Sequence, residues 1–98
     1  MSQLNVRIVT PRAILLDTMA DGVQAPGEIG EFGVLPSHIP FVTTLKPGVV
    51  TVHGAQAVEG TVTRRYNVGT GFAEAGPDRV TVLVETCEEI TGNAIATH

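Results

Sequence analysis

One stretch, Gly27–Gly48, decides the fold: GEIGEFGVLPSHIPFVTTLKPG. It holds three of the six prolines and four of the eleven glycines. Proline fixes φ and removes a hydrogen-bond donor, while glycine tolerates unusual backbone angles, so a stretch rich in both forms tight corners rather than a helix. Two short apolar pieces, 32–35 and 41–45, lie between these corners. The stretch therefore predicts short strands separated by turns.

The rest of the chain continues this pattern on both sides. Leu4, Val6 and Ile8 alternate with polar residues, which predicts a half-buried strand. Further strands are predicted at residues 13–16, 23–25, 49–52, 58–68, 72–75 and 79–85. Asp17 is expected to close the run at 13–16, and Asp21-Gly22 to form a turn. His53–Gln56 are expected to begin a polar hairpin loop, and Gly76-Pro77-Asp78 to form a tight turn. Short strands with turn residues between them are typical of a β-sandwich or flattened barrel.

Composition supports an all-β domain and excludes several kinds of partner. Val, Thr and Ile make up about a third of the 98 residues, and β-branched side chains favour strands. The net charge is -4 and Lys46 is the only lysine, so no basic stripe for nucleic acid is present. No apolar run approaches the length that spans a bilayer and no secretory leader is evident, so we expect a protein made in the cytoplasm without direct bilayer insertion.

The regular pattern lapses after Glu85. We therefore predict one domain over residues 1–86 and a loosely ordered tail over residues 87–98. Cys87 is the single cysteine, so it forms no internal disulfide, and it is expected to be a small residue at the end of the last strand.

His38 is the most obvious candidate for catalysis. A catalytic histidine needs an orienting acid and a nucleophile or metal. Glu31 is seven residues away, and Ser37 is adjacent, so on a strand it would point to the opposite face. We therefore expect His38 to bond to the backbone in a proline-flanked corner, and we predict no catalytic residue.

No cofactor or metal site is predicted either. The three histidines, His38, His53 and His98, lack the spacing of metal ligands. Gly27, Gly30 and Gly33 are not followed by the Lys-Ser/Thr pair of a phosphate-binding loop, so they are expected to form β-turns.

The central stretch resembles the signature of the epsilon subunit of F-type ATP synthases, called delta in mitochondria. The matching residues are Gly27, Gly30, Gly33, Val34, Leu35, Pro36, His38, Pro40, Leu45, Pro47 and Gly48. Residues 71–72 and 77–83 are similar to a later segment of the same family. Ser37 replaces a usual glycine and Ile39 a usual alanine, so the corner at Ser37 is not expected to need a positive φ.

The resemblance implies a fold and a function. The expected fold is a flattened ten-stranded β-sandwich or barrel without the family's C-terminal two-helix hairpin, which would start about where the chain stops. The expected function is that of a non-catalytic central-stalk subunit of a rotary, proton-translocating ATP synthase, which couples ion transport to ATP synthesis. Its partners would be the gamma subunit and the c-ring, at the cytoplasmic face of the cell membrane. Because the family's hairpin carries inhibition of ATP hydrolysis and, in some bacteria, ATP binding, neither is expected of this chain.

The resemblance also implies two sets of contact residues. The c-ring set is Glu28, Ile29, Gly30, Glu31 and Phe32. The gamma set is His38, Pro40, Phe41, Val42 and Thr43. Glu31 could pair with an arginine of the ring, although an exposed pair contributes only about 0–1 kcal/mol. Phe32 is either an interface anchor or a core residue.

Two other functions remain open from the sequence. The chain could be a β-sandwich adaptor that binds another protein through the loops of residues 27–48. It could also be a small enzyme that uses His38, which the residues favour least.

Overall fold

The computed structural model describes residues 3–90, which form ten β-strands. The strands are β1 (Leu4–Val9), β2 (Ile14–Ala20), β3 (Gly22–Pro26), β4 (Glu31–Val34), β5 (Phe41–Leu45), β6 (Gly48–Gln56), β7 (Thr61–Val68), β8 (Gly71–Ala75), β9 (Arg79–Val84) and β10 (Cys87–Ile90). Within these residues no helix is long and apolar enough to cross a membrane.

The strands form two five-stranded sheets packed face to face. Sheet A has the order β2-β1-β9-β8-β5, and sheet B has the order β10-β7-β6-β3-β4. Only β1 and β9 pair in parallel; every other pair is antiparallel. The predicted ten-stranded β-sandwich is confirmed, and within residues 3–90 the two sheets do not close into a barrel.

Alternation along the strands builds the core between the sheets. Leu4, Val6 and Ile8 of β1 are fully buried, as are Val50 and Val52 of β6 in the facing sheet. Burial of one such side chain contributes about 1.5–3 kcal/mol, so this shared apolar layer holds the two sheets together.

The chain first passes between the sheets at Asp21. β2 ends in sheet A at Ala20 and β3 begins in sheet B at Gly22, while the Asp21 amide donates to the His53 carbonyl at 2.8 Å. The predicted turn at Asp21-Gly22 is therefore a change of sheet. Asp17 does not end β2, because its carboxylate lies on the exposed face beside Arg7, 3.5 Å away, and the strand continues beneath it.

Residues His53–Gln56, expected to begin a hairpin loop, belong to β6. The pairing with β7 shifts between Val52 and Ala55, and Gly54 there has a φ of +67°. A side chain at Gly54 would collide with the Asp21 carboxylate, which occupies that space. The bulge therefore accommodates the sheet-changing residue, and the loop itself is the β6–β7 tip at residues 57–60.

Strand β10 was not expected from the sequence. Residues Cys87–Ile90 were predicted to belong to the loosely ordered tail, but they pair antiparallel with β7. Glu89 accepts two hydrogen bonds from the Arg64 guanidinium, at 2.8 and 2.9 Å. This forked contact fixes β10 to β7, and the rest of the expected tail, residues 91–98, lies outside the described residues.

The second passage between the sheets is the link from β4 to β5. Ser37, in this link, has a φ of +70°, so the expectation that this corner needs no positive φ is wrong. Its amide donates to the Pro77 carbonyl at 2.6 Å, which ties the link to the turn between β8 and β9. The corner keeps its left-handed backbone although a serine stands where glycine would be unstrained.

The hairpin between β3 and β4 is bonded to β5 as well as to its own strands. The Glu28 amide donates to the Thr44 carbonyl at 3.2 Å, and the Lys46 amide donates to the Pro26 carbonyl at 3.0 Å. Gly27 and Leu45 form an isolated bridge between these two bonds. The tip of this hairpin, residues 27–30 and called the β3–β4 tip below, is therefore anchored to both sheets.

Acid should weaken the contact between Arg64 and Glu89. The hydrogen bond from Arg64 lowers the pKa of Glu89 in the folded chain, so the contact stabilises the fold above the unfolded pKa and is lost as pH falls through the folded value. We expect Glu89→Gln to reduce the free energy of unfolding at pH 7 by about 0.5–1 kcal/mol. This difference should shrink as pH falls below the unfolded pKa of about 4.3 and vanish below the lower folded pKa. Urea unfolding across pH measures it. Glu88→Gln, at an exposed neighbour on the opposite face, is the control; an equal effect there would contradict the assignment.

The β3–β4 tip should tolerate a methyl group at one glycine and reject it at another. A Cβ at Gly27 would lie 2.7 Å from the Gly30 carbonyl oxygen and 2.9 Å from a Phe32 ring carbon, whereas a Cβ at Gly30 meets nothing within 4 Å. We expect Gly27→Ala to cost about 1–3 kcal/mol and Gly30→Ala to stay within about 0.5 kcal/mol of the parent. Thermal unfolding of the two variants side by side checks this, and equal stabilities would refute the packing described.

Candidate docking site

An open groove of about 320 Å³ lies where the β3–β4 tip meets β5. It is lined by Gly27, Ile29, Gly30, Phe32, Gly33, His38, Phe41 and Thr43. Members of both sequence-predicted sets line it: Ile29, Gly30 and Phe32 of the c-ring set, and His38, Phe41 and Thr43 of the gamma set. The two sets are therefore neighbours at one corner of the sandwich.

Three rings form the floor of the groove. The Phe32 and Phe41 centroids are 5.6 Å apart with the rings at 81°, and the His38 and Phe41 centroids are 5.1 Å apart at 70°. Edge-to-face pairs of this kind add about 0.5–1.5 kcal/mol beyond area burial. Phe32 and Phe41 also pack on the core while remaining partly exposed. Phe32 therefore packs on the core and also lines the groove, which it supports from below.

The β3–β4 tip projects from this floor. Ile29 has a fractional exposure of 105%, and Glu28, Gly30 and Glu31 are also exposed. A fully exposed isoleucine flanked by two carboxylates gives the tip an apolar point with an acidic margin. Because the backbone behind it is bonded to β5, this point is presented in a fixed position.

Residues of β5 alternate between the groove and the outside of sheet A. Phe41 and Thr43 line the groove, whereas Val42, which pairs with Glu74 of β8, is 63% exposed on the other side. Phe72, two residues before Glu74, is 43% exposed on the same outer face. The gamma set therefore covers two surfaces that share one strand. Pro40, just before β5, is exposed at the corner between them.

His38 bonds to the backbone, as predicted. Its Nδ1 lies 2.9 Å from the Ile39 carbonyl oxygen, which can only accept, so this nitrogen carries the proton. Burial, followed by the nearby charge of Glu89, raises the pKa of the Cys87 thiol, which keeps it protonated and a poor nucleophile. Among the described residues, no three or more His, Cys, Asp or Glu side chains are grouped to hold a metal ion. The site offers shape and apolar surface rather than reactive groups.

Sequence reasoning missed three exposed apolar residues near this corner. Leu35 is 66% exposed and Ile39 is 78% exposed, both in the link between the sheets, and Phe72 lies on the outer face of sheet A. The exposure of Phe72 could have been predicted from the sequence, because side chains alternate between the two faces of β8 and its neighbour Ala73 is buried. The exposure of Leu35 and Ile39 could not be predicted in this way, because the link is not a strand and its residues do not alternate between two faces.

Comparison with known proteins identifies the family. The sequence model of the β-sandwich domain of the ATP synthase delta/epsilon chain matches residues 3–90. An ATP synthase epsilon chain from Moorella thermoacetica is 44% identical over 88 residues, covering 90% of this chain and 63% of the relative. One from Caulobacter vibrioides is 42% identical over 89 residues, covering 91% of this chain and 98% of the relative. The chain thus spans less than two-thirds of the first relative but nearly all of the second.

Solved structures show the same fold. A chain of the Euglena gracilis mitochondrial ATP synthase, from a structure of OSCP, F1 and c-ring, superimposes with a TM-score of 0.79 at 22% identity, covering 91% of this chain and 54% of that one. Epsilon chains are regulatory or structural subunits rather than catalytic ones, which agrees with the prediction of a non-catalytic protein. The match over residues 3–90 shows that this chain belongs to the ATP synthase delta/epsilon chain family, through its β-sandwich domain.

Proposed function

We propose that this chain is a central-stalk subunit that joins the gamma subunit to the c-ring of an ATP synthase. In this role it couples ion translocation through the ring to ATP synthesis in the catalytic head without catalysing a reaction itself. The observation that carries the proposal is the meeting of both contact sets at one rigid corner of the sandwich. One small domain can then contact two neighbours at once.

The β3–β4 tip is the proposed c-ring contact. Ile29 is the fully exposed apolar side chain of this tip, and Glu28 and Glu31 flank it. An apolar side chain enters a pocket of the partner, while carboxylates at the margin select basic partner residues and steer the encounter. Phe32 supports the tip from below, so Ile29 rather than Phe32 is the anchor in this proposal.

The strand β5 and the link before it are the proposed gamma contact. His38, Phe41 and Thr43 face the groove, and Val42 faces outward beside Phe72, with Pro40 at the corner. Ile39 adds a further exposed apolar side chain to this surface. Many moderate contacts spread over an interface of about 1,000 Å² or more give a stable attachment without a single dominant bond.

The sandwich suits the transmission of torque. Its two sheets share a close-packed core, and close-packed interiors deform little under load. The tip is bonded to β5 by main-chain hydrogen bonds, so force applied at Ile29 passes directly into both sheets. In this proposal the subunit lies at the cytoplasmic face of the membrane as a peripheral part of the complex.

Reconstitution with a gamma subunit and detergent-solubilised c-ring tests the proposal. Ile29→Asp places a charge at the apolar point of the β3–β4 tip, so we expect the affinity for the c-ring to fall about tenfold or more. Val58→Asp is the matched control, because Val58 is 102% exposed at the β6–β7 tip. Since β6 runs antiparallel to β3, that tip lies at the opposite end of the sandwich.

Gel filtration and a binding titration give the result. Co-elution of the parent chain with gamma and the ring, with loss only for Ile29→Asp, supports the proposal. A parent chain that forms no complex with either subunit would refute it and favour an adaptor of another protein. Equal loss in both variants would show that the tip is not the ring contact.

A further inference from the structure

The outer face of sheet A carries two rows of side chains that cross all five strands. The first row is Ile14, Val9, Leu83, Phe72 and Thr44, in the order β2-β1-β9-β8-β5. The second row is Asp17, Arg7, Thr81, Glu74 and Val42, in the same order. Directly opposed residues of neighbouring strands point to the same face, so each row is continuous.

Both rows are arranged about β9, the middle strand. In the first row Val9 and Phe72 stand on either side of Leu83, so apolar groups lie left and right of the centre. In the second row Arg7 and Glu74 stand on either side of Thr81, so opposite charges lie left and right. Ile14 and Phe72 are 55% and 43% exposed, which leaves the apolar row uncovered in the isolated chain.

We propose that the free chain forms a symmetric dimer through this face, with a two-fold axis parallel to β9. That axis exchanges left and right, so Leu83 meets the partner's Leu83 and Val9 meets the partner's Phe72. It also brings Arg7 opposite the partner's Glu74, and this pair occurs twice. An isologous interface requires a self-complementary patch, and Arg7 and Glu74 supply it at the centre of the second row, while at the ends of that row the axis sets Asp17 opposite the partner's Val42.

The dimer is a weak one. Five strands about 4.8 Å apart and about six residues long give a flat area of roughly 400 Å² for each copy. Interfaces burying less than about 1,200 Å² in total belong to transient complexes. Arg79 and Glu85 lie near the ends of β9, so each would face the same residue of the second copy. The repulsion between these like charges further limits the affinity of the dimer.

This inference does not depend on the proposed function, because it rests on the self-complementarity of one face. The two are connected, however, since Val42 and Phe72 lie on the same face. A gamma subunit covering these residues would compete with the second copy. The dimer would then be a state of the chain before assembly.

Sedimentation equilibrium of the 98-residue chain at increasing concentration tests the dimer. We expect the average mass to rise from 10.3 kDa toward twice that value between about 10 µM and about 1 mM. Glu74→Arg and Arg7→Glu each place like charges opposite one another twice, so each should raise the dissociation constant about tenfold. The double variant Arg7→Glu/Glu74→Arg keeps the net charge and reverses both pairs, so it should restore most of the loss.

Matched controls lie on the outside of sheet B. Arg65→Glu and Glu88→Arg change the net charge by the same amounts at exposed residues, and neither should alter the dissociation constant. Circular dichroism confirms that each variant is folded. A parent chain that stays at 10.3 kDa at about 1 mM overturns the dimer and leaves the face to the gamma subunit. A double variant whose dimer dissociation constant is no lower than those of the single variants overturns the proposed axis.

Discussion

The structure depends on the main-chain hydrogen bonds that join β5 of sheet A to the β3–β4 hairpin of sheet B. Glu28 donates to Thr44 and Lys46 donates to Pro26, with Gly27 bridged to Leu45 between them. Without these bonds the tip would extend from an edge of sheet B with no support from the other sheet. With them, Phe32 is held against Phe41 and the groove has a fixed floor. Backbone hydrogen bonds can hold the tip in a fixed position without using its side chains, which stay available for contact with a partner.

Much of the fold could be predicted from the sequence, because alternation and turn residues are local signals. The strand β1 and the strand β5 were predicted nearly to their ends, and the corner-rich stretch was predicted as short strands separated by turns, which β4 and β5 confirm. The signals failed where a distant contact decides the outcome. β10 looks polar and short, and it is a strand because its backbone pairs with the distant strand β7, a pairing that Arg64 and Glu89 reinforce. Ser37 adopts a positive φ that its side chain does not favour, held there by the carbonyl of Pro77.

The candidate site shows the same division between local and distant information. The resemblance named both contact sets, but the sequence could not show that they share a groove, because residues 28–32 belong to a hairpin of sheet B and residues 38–43 to the link and β5 of sheet A. Alternation along β5 does imply that Val42 faces away from Phe41 and Thr43. The sequence could not show, however, that β8 lies beside β5 and places Phe72 on the same outer face. In the structure β5 has one side in the groove and the other on the outer face of sheet A. A movement of this strand would therefore displace residues of both proposed interfaces.

Hydrogen–deuterium exchange of the chain, free and bound to gamma and the c-ring, tests the central claim most directly. That claim is that both partners bind at the corner formed by the β3–β4 tip and β5. The account predicts that peptides covering residues 28–32 and 38–43 gain protection in the complex, while those covering the β6–β7 tip at 57–60 are unchanged. Protection confined to residues 57–60, with residues 28–43 unaffected, would contradict it.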